Sequence, residues 1–135
     1  SKKQRAEIIL LDKVFIPYNI SNTHWTLAVI NFQQSRFEYY DSLHGQPPHN
    51  LFINLRRYVK DEAATHSSLP DYDLSEWTEY TPSDIPAQDN GYDCGVFICK
   101  FADYLSENLD LDFTQRDTPY FRDRMVLELT EKRVE

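Results

Sequence analysis

The tightest constraint on this chain is a pair of β-rich runs separated by only a short polar gap. Residues 24–32 read His-Trp-Thr-Leu-Ala-Val-Ile-Asn-Phe, and residues 36–42 read Arg-Phe-Glu-Tyr-Tyr-Asp-Ser. β-branched and aromatic side chains fit a pleated, half-buried surface, so both runs predict strands. A gap this short makes a hairpin the natural connection. With a four-residue loop at 32–35, residue 41 falls opposite residue 26. His24 then becomes a diagonal neighbour of Asp41 on one face, at a backbone separation of about 7–8 Å. An odd-length loop would send the two side chains to opposite faces. The arrangement lets imidazole and carboxylate meet. It also fits a structural histidine at a strand start and an aspartate that caps a turn.

The remaining elements follow from periodicity and breakers. Residues 13–18 predict a short strand, with Pro17 pointing to a sheet edge or a strand end. Leu51, Leu55, Tyr58 and Val59 follow helical spacing, so residues 49–64 predict an amphipathic helix. Residues 65–76 are polar, contain Pro70 and read as a surface loop, and residues 76–81 predict another short strand. An irregular loop with Pro82 and Pro86 leads into Cys94, and Gly95 to Leu105 is apolar enough for a buried helix. Thr118-Pro119 suits the start of a last helix, with Phe121, Met125 and Leu129 on one stripe. Strands followed by helices in this order predict an α+β fold, with a small antiparallel or mixed sheet packed on helices.

Composition narrows the function classes. At 135 residues, with 41% hydrophobic and 14% aromatic, the chain has enough apolar surface for a core and is not of disordered type. Its formal net charge of −8 argues against a general affinity for nucleic acid and leaves room for a partner with a basic patch. The apolar run Ile8-Ile9-Leu10-Leu11 stops at Asp12 and Lys13, far short of the roughly 20 residues that a membrane span needs. No signal-peptide pattern precedes it, and the opening Ser-Lys-Lys without Met reads as a cut inside a longer protein. The two cysteines, Cys94 and Cys99, point to different faces of one helix and should not pair within it, which predicts a reduced, intracellular chain.

Cys94 is the residue with chemical potential. It is preceded by a loop and followed by Gly95 and an apolar helix. A thiol at a helix N-terminus faces the positive end of the dipole and unpaired N–H groups, which favours thiolate. Gly95 would let a substrate backbone pass close to the sulfur. Cys99, inside the helix, reads as a small core hydrophobe. A lone Cys-Gly is weak evidence for a nucleophile when only spacing is considered. Asp71, Asp73 and Ser75 begin like a calcium loop, but Glu76 and Pro82 occupy its sixth and twelfth positions, so no metal site is expected. Arg56 and Arg57 read as a solvated helix face, with an acidic partner as the alternative. Trp77 reads as packing.

Three blocks of sequence alter the weight of these readings. They are His24-Trp25-Thr26-Leu27-Ala28-Val29-Ile30, Tyr39-Tyr40-Asp41-Ser42-Leu43 and Gln88-Asp89-Asn90-Gly91-Tyr92-Asp93-Cys94-Gly95. Together they resemble the catalytic blocks of the ubiquitin-like-protein-specific proteases, the Ulp/SENP family, in the family's order of His, Asp, Gln and Cys. The tail with Phe113-Thr114-Gln115, Tyr120-Phe121-Arg122 and Arg124-Met125 resembles the end of the SUMO-directed members. The resemblance runs from about residue 12 to the C-terminus. It implies a papain-like cysteine protease fold, with residues 1–135 forming the C-terminal portion of a single catalytic domain and the N-terminal part of that domain missing.

The same resemblance implies roles for individual residues. Cys94 is the nucleophile, His24 the general base, Asp41 the carboxylate that orients it, and Gln88 an oxyanion-hole donor beside the Cys94 backbone N–H. Trp25 corresponds to a tryptophan that roofs a narrow channel for a Gly-Gly tail, although a core position is also open to it. The implied activity is hydrolysis after the C-terminal Gly-Gly of SUMO, in precursors and in isopeptide conjugates, through a thioester and without cofactor. SUMO and SUMO-conjugated proteins are the implied partners of a monomeric, nuclear enzyme that uses neither nucleic acid nor membrane. Alternatives are a protease for another ubiquitin-like modifier such as NEDD8, an acetyl transferase built on the same triad, and a non-catalytic fragment that binds a modifier.

Overall fold

A computed structural model of the chain describes residues 7–117. The last helix expected from Thr118 onward lies outside them. The order of elements is a short 3-10 turn at Ile8–Leu10, then β1 (Lys13–Ile20), β2 (His24–Asn31), β3 (Arg36–Tyr40), α1 (Leu51–His66), β4 (Thr78–Tyr80) and α2 (Cys94–Ser106), closed by a 3-10 turn at Gln115–Asp117. The four strands form one sheet in the order β1-β2-β3-β4. β3 and β4 run parallel, with Phe37 opposite Glu79. The chain between them holds the 16-residue helix α1, which supplies the long crossover that a parallel pair requires. The sheet is therefore mixed.

The hairpin that dominates the sequence forms with the expected loop. Phe32 to Ser35 separate β2 from β3, and Ser35 takes a left-handed conformation at φ 54° just before β3 begins. β1 extends two residues beyond its expected end. Among the described residues it is an edge strand, and this is why Pro17 is tolerated in its middle, where a missing N–H interrupts no second ladder. β3 stops at Tyr40, so Asp41 stands just past its end.

The described residues fall into two compact units. One comprises the residues up to Ile16, Ala28–Tyr39 and Gln46–Pro82. Its core holds Val29, Ile30, Phe37 and Tyr39 of the strands with Leu51, Leu55, Val59 and Ala63 of α1. Tyr58, expected on the same stripe, is exposed instead. Leu74 is buried within the segment read as a polar loop. Trp77 packs on Phe37 at 4.8 Å and edge-on to Phe32 at 5.3 Å, as a packing residue should. Arg56 corrects the expectation of a solvated helix face. Its guanidinium donates to the Leu74 and Trp77 carbonyls at 3.2 and 3.1 Å, lies 3.7 Å from Glu79 and sits over the Phe37 ring. A rigid fork of five donors suits such a clamp in a way that a lysine would not.

The other unit comprises Pro17–Leu27, Tyr40–Gly45 and the described residues from Ser83 on. Its core is built on α2, whose Val96, Phe97, Ile98 and Phe101 are buried. Phe113 lies 5.6 Å from Phe97, 5.7 Å from Phe101 and 5.0 Å from Tyr104, and Tyr40 lies 5.9 Å from Phe101. Such ring pairs contribute about 0.5–1.5 kcal/mol each beyond their buried area. α2 ends where Asn108 turns left-handed at φ 57°, a common C-terminal stop for asparagine. Cys99 is exposed on this helix and is not the core residue expected.

Candidate active site

All five residues singled out in the sequence belong to the second unit, each placed by a different local device. His24 is the first residue of β2, and its Nε2 lies 2.6 Å from Oδ1 of Asp41. The even hairpin loop makes this contact possible, since it sets both side chains on one face. Asp41 is held in turn by the backbone. Its Oδ1 accepts the Leu43 N–H at 2.8 Å and its Oδ2 accepts the Gly45 N–H at 3.1 Å. His44 takes φ 58° between those donors, which curls the chain back on the carboxylate. A Cβ at residue 45 would come within 2.8 Å of Asp41 Oδ2, so glycine is required here by close approach.

The pairing defines the imidazole. A carboxylate only accepts, so Nε2 carries the proton given to Asp41, and in the neutral ring Nδ1 is the basic nitrogen. The ring is thereby oriented with a proton acceptor on the side away from Asp41.

Gln88 comes from the loop that precedes α2, and Cys94 opens the helix itself. That loop is fastened to the turn at residues 41–45. The Gln88 N–H donates to the Ser42 carbonyl at 2.9 Å, the Ser42 hydroxyl donates to Gln88 Oε1, and His44 Nε2 meets the Ile85 carbonyl at 3.0 Å. Gln88 Nε2 donates to the Asn90 carbonyl at 2.6 Å. Asn90 Oδ1 then accepts the N–H groups of Tyr92 and Asp93, both at 3.0 Å, which shapes the last turn before the helix.

Cys94 is the first residue of α2 and is buried. The residue ahead of it, Asp93, stands where a side-chain cap would normally fold over the first N–H groups, yet makes no capping bond. Its Oδ2 instead accepts Asn90 Nδ2 and Gln115 Nε2, each at 2.8 Å. Gln115 also accepts the Asp89 N–H at 2.7 Å, so one side chain from far downstream pins both ends of the loop. Space beside Gly95 is open, with no atom within 4 Å of where a Cβ would stand. Trp25 is 41% exposed at the start of β2, which removes the core reading of it.

Three contributors escaped the reading of the sequence. Ser42 and Gly45 adjoin Asp41, and a chain with only three glycines that places one four residues after a candidate carboxylate held a usable signal. Gln115 lies within a recognised block, but its partner Asp93 is not evident from spacing.

All 135 residues match the Ulp1 protease family, C-terminal catalytic domain. The chain belongs to the Ulp1 protease family. Among curated relatives, it is 44% identical over 124 residues to ubiquitin-like-specific protease 1A of Arabidopsis thaliana, covering 92% of this chain and 24% of that protein. It is 43% identical over 108 residues to human sentrin-specific protease 2, covering 78% of this chain and 18% of the relative. The solved C-terminal Ulp1 protease domain in complex with Smt3, the yeast ortholog of SUMO, superposes with a TM-score of 0.71 at 29% identity. That match covers 90% of this chain and 53% of the solved domain. The chain thus spans about a quarter or less of these two curated relatives and about half of the solved Ulp1 family domain. Its fold is the Ulp1-type fold expected from the sequence.

Proposed function

We propose that this chain supplies the catalytic half of a SUMO-directed cysteine protease, which hydrolyses the peptide or isopeptide bond after the modifier's terminal Gly-Gly. The observation that carries this reading is the 2.6 Å contact between His24 Nε2 and Asp41 Oδ1, which leaves Nδ1 as the base. Cys94 Sγ attacks the carbonyl carbon of the terminal glycine while His24 takes the thiol proton at Nδ1. The carbonyl oxygen becomes an oxyanion, stabilised by the second Nε2–H of Gln88 and the backbone N–H of Cys94. The intermediate collapses to a thioester as His24 returns its proton to the leaving amine. Water, deprotonated by the same nitrogen, then attacks the thioester to release the carboxylate and restore the thiol. Asp41 steadies the imidazolium throughout. Trp25, an exposed flat ring, forms a wall that admits glycine and excludes larger residues.

The test uses the full-length protein and SUMO carrying a C-terminal electrophile. Covalent labelling of wild type, with none in Cys94→Ser, is the expected result. A panel with NEDD8 in place of SUMO, and an assay for acetyl-CoA binding, reads the alternatives. Tight SUMO binding without turnover in wild type would make the protein a binding module. Nuclear residence and a monomeric catalytic unit belong to the same reading by resemblance, and imaging and sedimentation of the full-length protein test them.

A further inference from the structure

Ser42 is fully buried at 0% exposure, and Gln88 nearly so at 7%. They meet twice, through the Gln88 N–H on the Ser42 carbonyl and through the Ser42 hydroxyl on Gln88 Oε1. The other end of the Gln88 amide fixes its orientation. The Asn90 carbonyl can only accept, so the end that faces it is the NH2 group, and the end that faces Ser42 is the oxygen. The hydroxyl, able to donate or accept, is therefore obliged to donate.

We infer that Ser42 is a positioning residue for the oxyanion contact, because its hydroxyl holds Gln88 Oε1 in place and so locks the amide in the orientation that the Asn90 carbonyl selects. This rests on the protease reading above. A primary amide has two N–H bonds. One goes to Asn90 and the other serves the oxyanion. Turned by half a rotation, the same amide would present its oxygen to an atom gaining negative charge, and an attraction would become a repulsion. Loss of the Ser42 hydroxyl leaves Oε1 buried without its donor, which drives the amide to swing away toward other partners. Asn90 still restrains the nitrogen, so the effect is smaller than loss of Gln88 itself. Ser42 follows Asp41 directly. A single turn thus carries both the carboxylate that holds the base and the hydroxyl that holds the oxyanion donor.

The experiment measures hydrolysis of a SUMO precursor by the full-length protein in four forms: wild type, Ser42→Ala, Gln88→Ala and the double variant. Loss of an oxyanion donor costs on the order of 10²–10³ in kcat. Ser42→Ala is expected to lower kcat by about 10-fold with KM within about two-fold, a fraction of that donor loss. In the Gln88→Ala background it should add nothing. Alkylation of Cys94 by iodoacetamide, which forms no oxyanion, should be unchanged by Ser42→Ala. Losses that multiply in the double variant, or a matching fall in alkylation, overturn the inference by making Ser42 a general structural residue. If Ser42→Ala fails to fold, Ser42→Cys replaces it, with a weak donor in nearly the same volume, and the same non-additivity in kcat decides. A wild type that hydrolyses with an additive double variant removes only the role of Ser42. A wild type with no hydrolysis removes the protease reading and this inference together.

Discussion

Nε2 of His24 sits 2.6 Å from an Asp41 oxygen that also accepts the Leu43 N–H, while the second carboxylate oxygen accepts the N–H of Gly45. The imidazole is thus oriented by a group whose own rotation is blocked by two main-chain donors. Asp41→Asn keeps the shape and removes the charge. Its NH2 must then face either the Gly45 N–H or His24, and the second choice also inverts the imidazole tautomer. The expected loss in kcat is between about 10² and 10⁴, with about 1–3 kcal/mol of stability lost to the opposed buried donors. Steady-state kinetics beside a urea melt check both parts.

Gly45→Ala tests the same carboxylate from its other side. The new Cβ would stand 2.8 Å from Asp41 Oδ2, too close for either atom to stay in place. Gly45 has no positive φ, so backbone strain does not enter, and displacement of the carboxylate is the whole effect. A misplacement of about 1 Å costs up to about 10²-fold in rate, so a fall in kcat of about 10- to 100-fold is expected. KM should hardly change.

The two tryptophans should respond in opposite ways. Trp77, 8% exposed and packed on Phe37 and Phe32, should cost about 3–5 kcal/mol of stability when changed to alanine. Trp25, 41% exposed, should cost less than about 1 kcal/mol yet lower kcat/KM by about 10-fold or more. Denaturation and kinetics on both variants separate a packing ring from a substrate wall.

Cys99 offers a pH signature. Burial of part of its thiol pushes the pKa above the ordinary value, against a smaller opposing pull from the Lys100 charge. A thiol raised in the folded state binds its proton more tightly there than in the unfolded chain. Its contribution to stability is therefore present below the unfolded pKa and is lost as pH rises through the folded one. In Cys94→Ser, where Cys99 is the remaining cysteine, iodoacetamide alkylation should be slow at neutral pH and should still be accelerating above about pH 8.5, the ordinary thiol value. A plateau below that pH would contradict the shift.

The hairpin and the meeting of His24 with Asp41 were legible because strand parity is arithmetic: an even loop puts both on one face, and residues 32–35 supply it. The helix that begins at Cys94 was legible from its apolar run, but not the way that helix faces. α2 is apolar on most of its circumference, so Cys99 looked internal, while the fold exposes it and buries its neighbour Lys100. Arg56 looked like a solvated charge because nothing local announces that the carbonyls of Leu74 and Trp77 need a donor from another element. Ser42, Gly45 and Gln115 act through hydrogen bonds to groups near and far in sequence, and such bonds leave no periodic trace.

Asp93 turns Oδ2 to Asn90 and Gln115 and makes no side-chain cap on the helix that it precedes. The entry into α2, where Cys94 is mounted, is therefore tied to a residue 22 positions downstream of Asp93 and not to a local cap. A change at Gln115 would reach the first turn of that helix without altering a single helical residue.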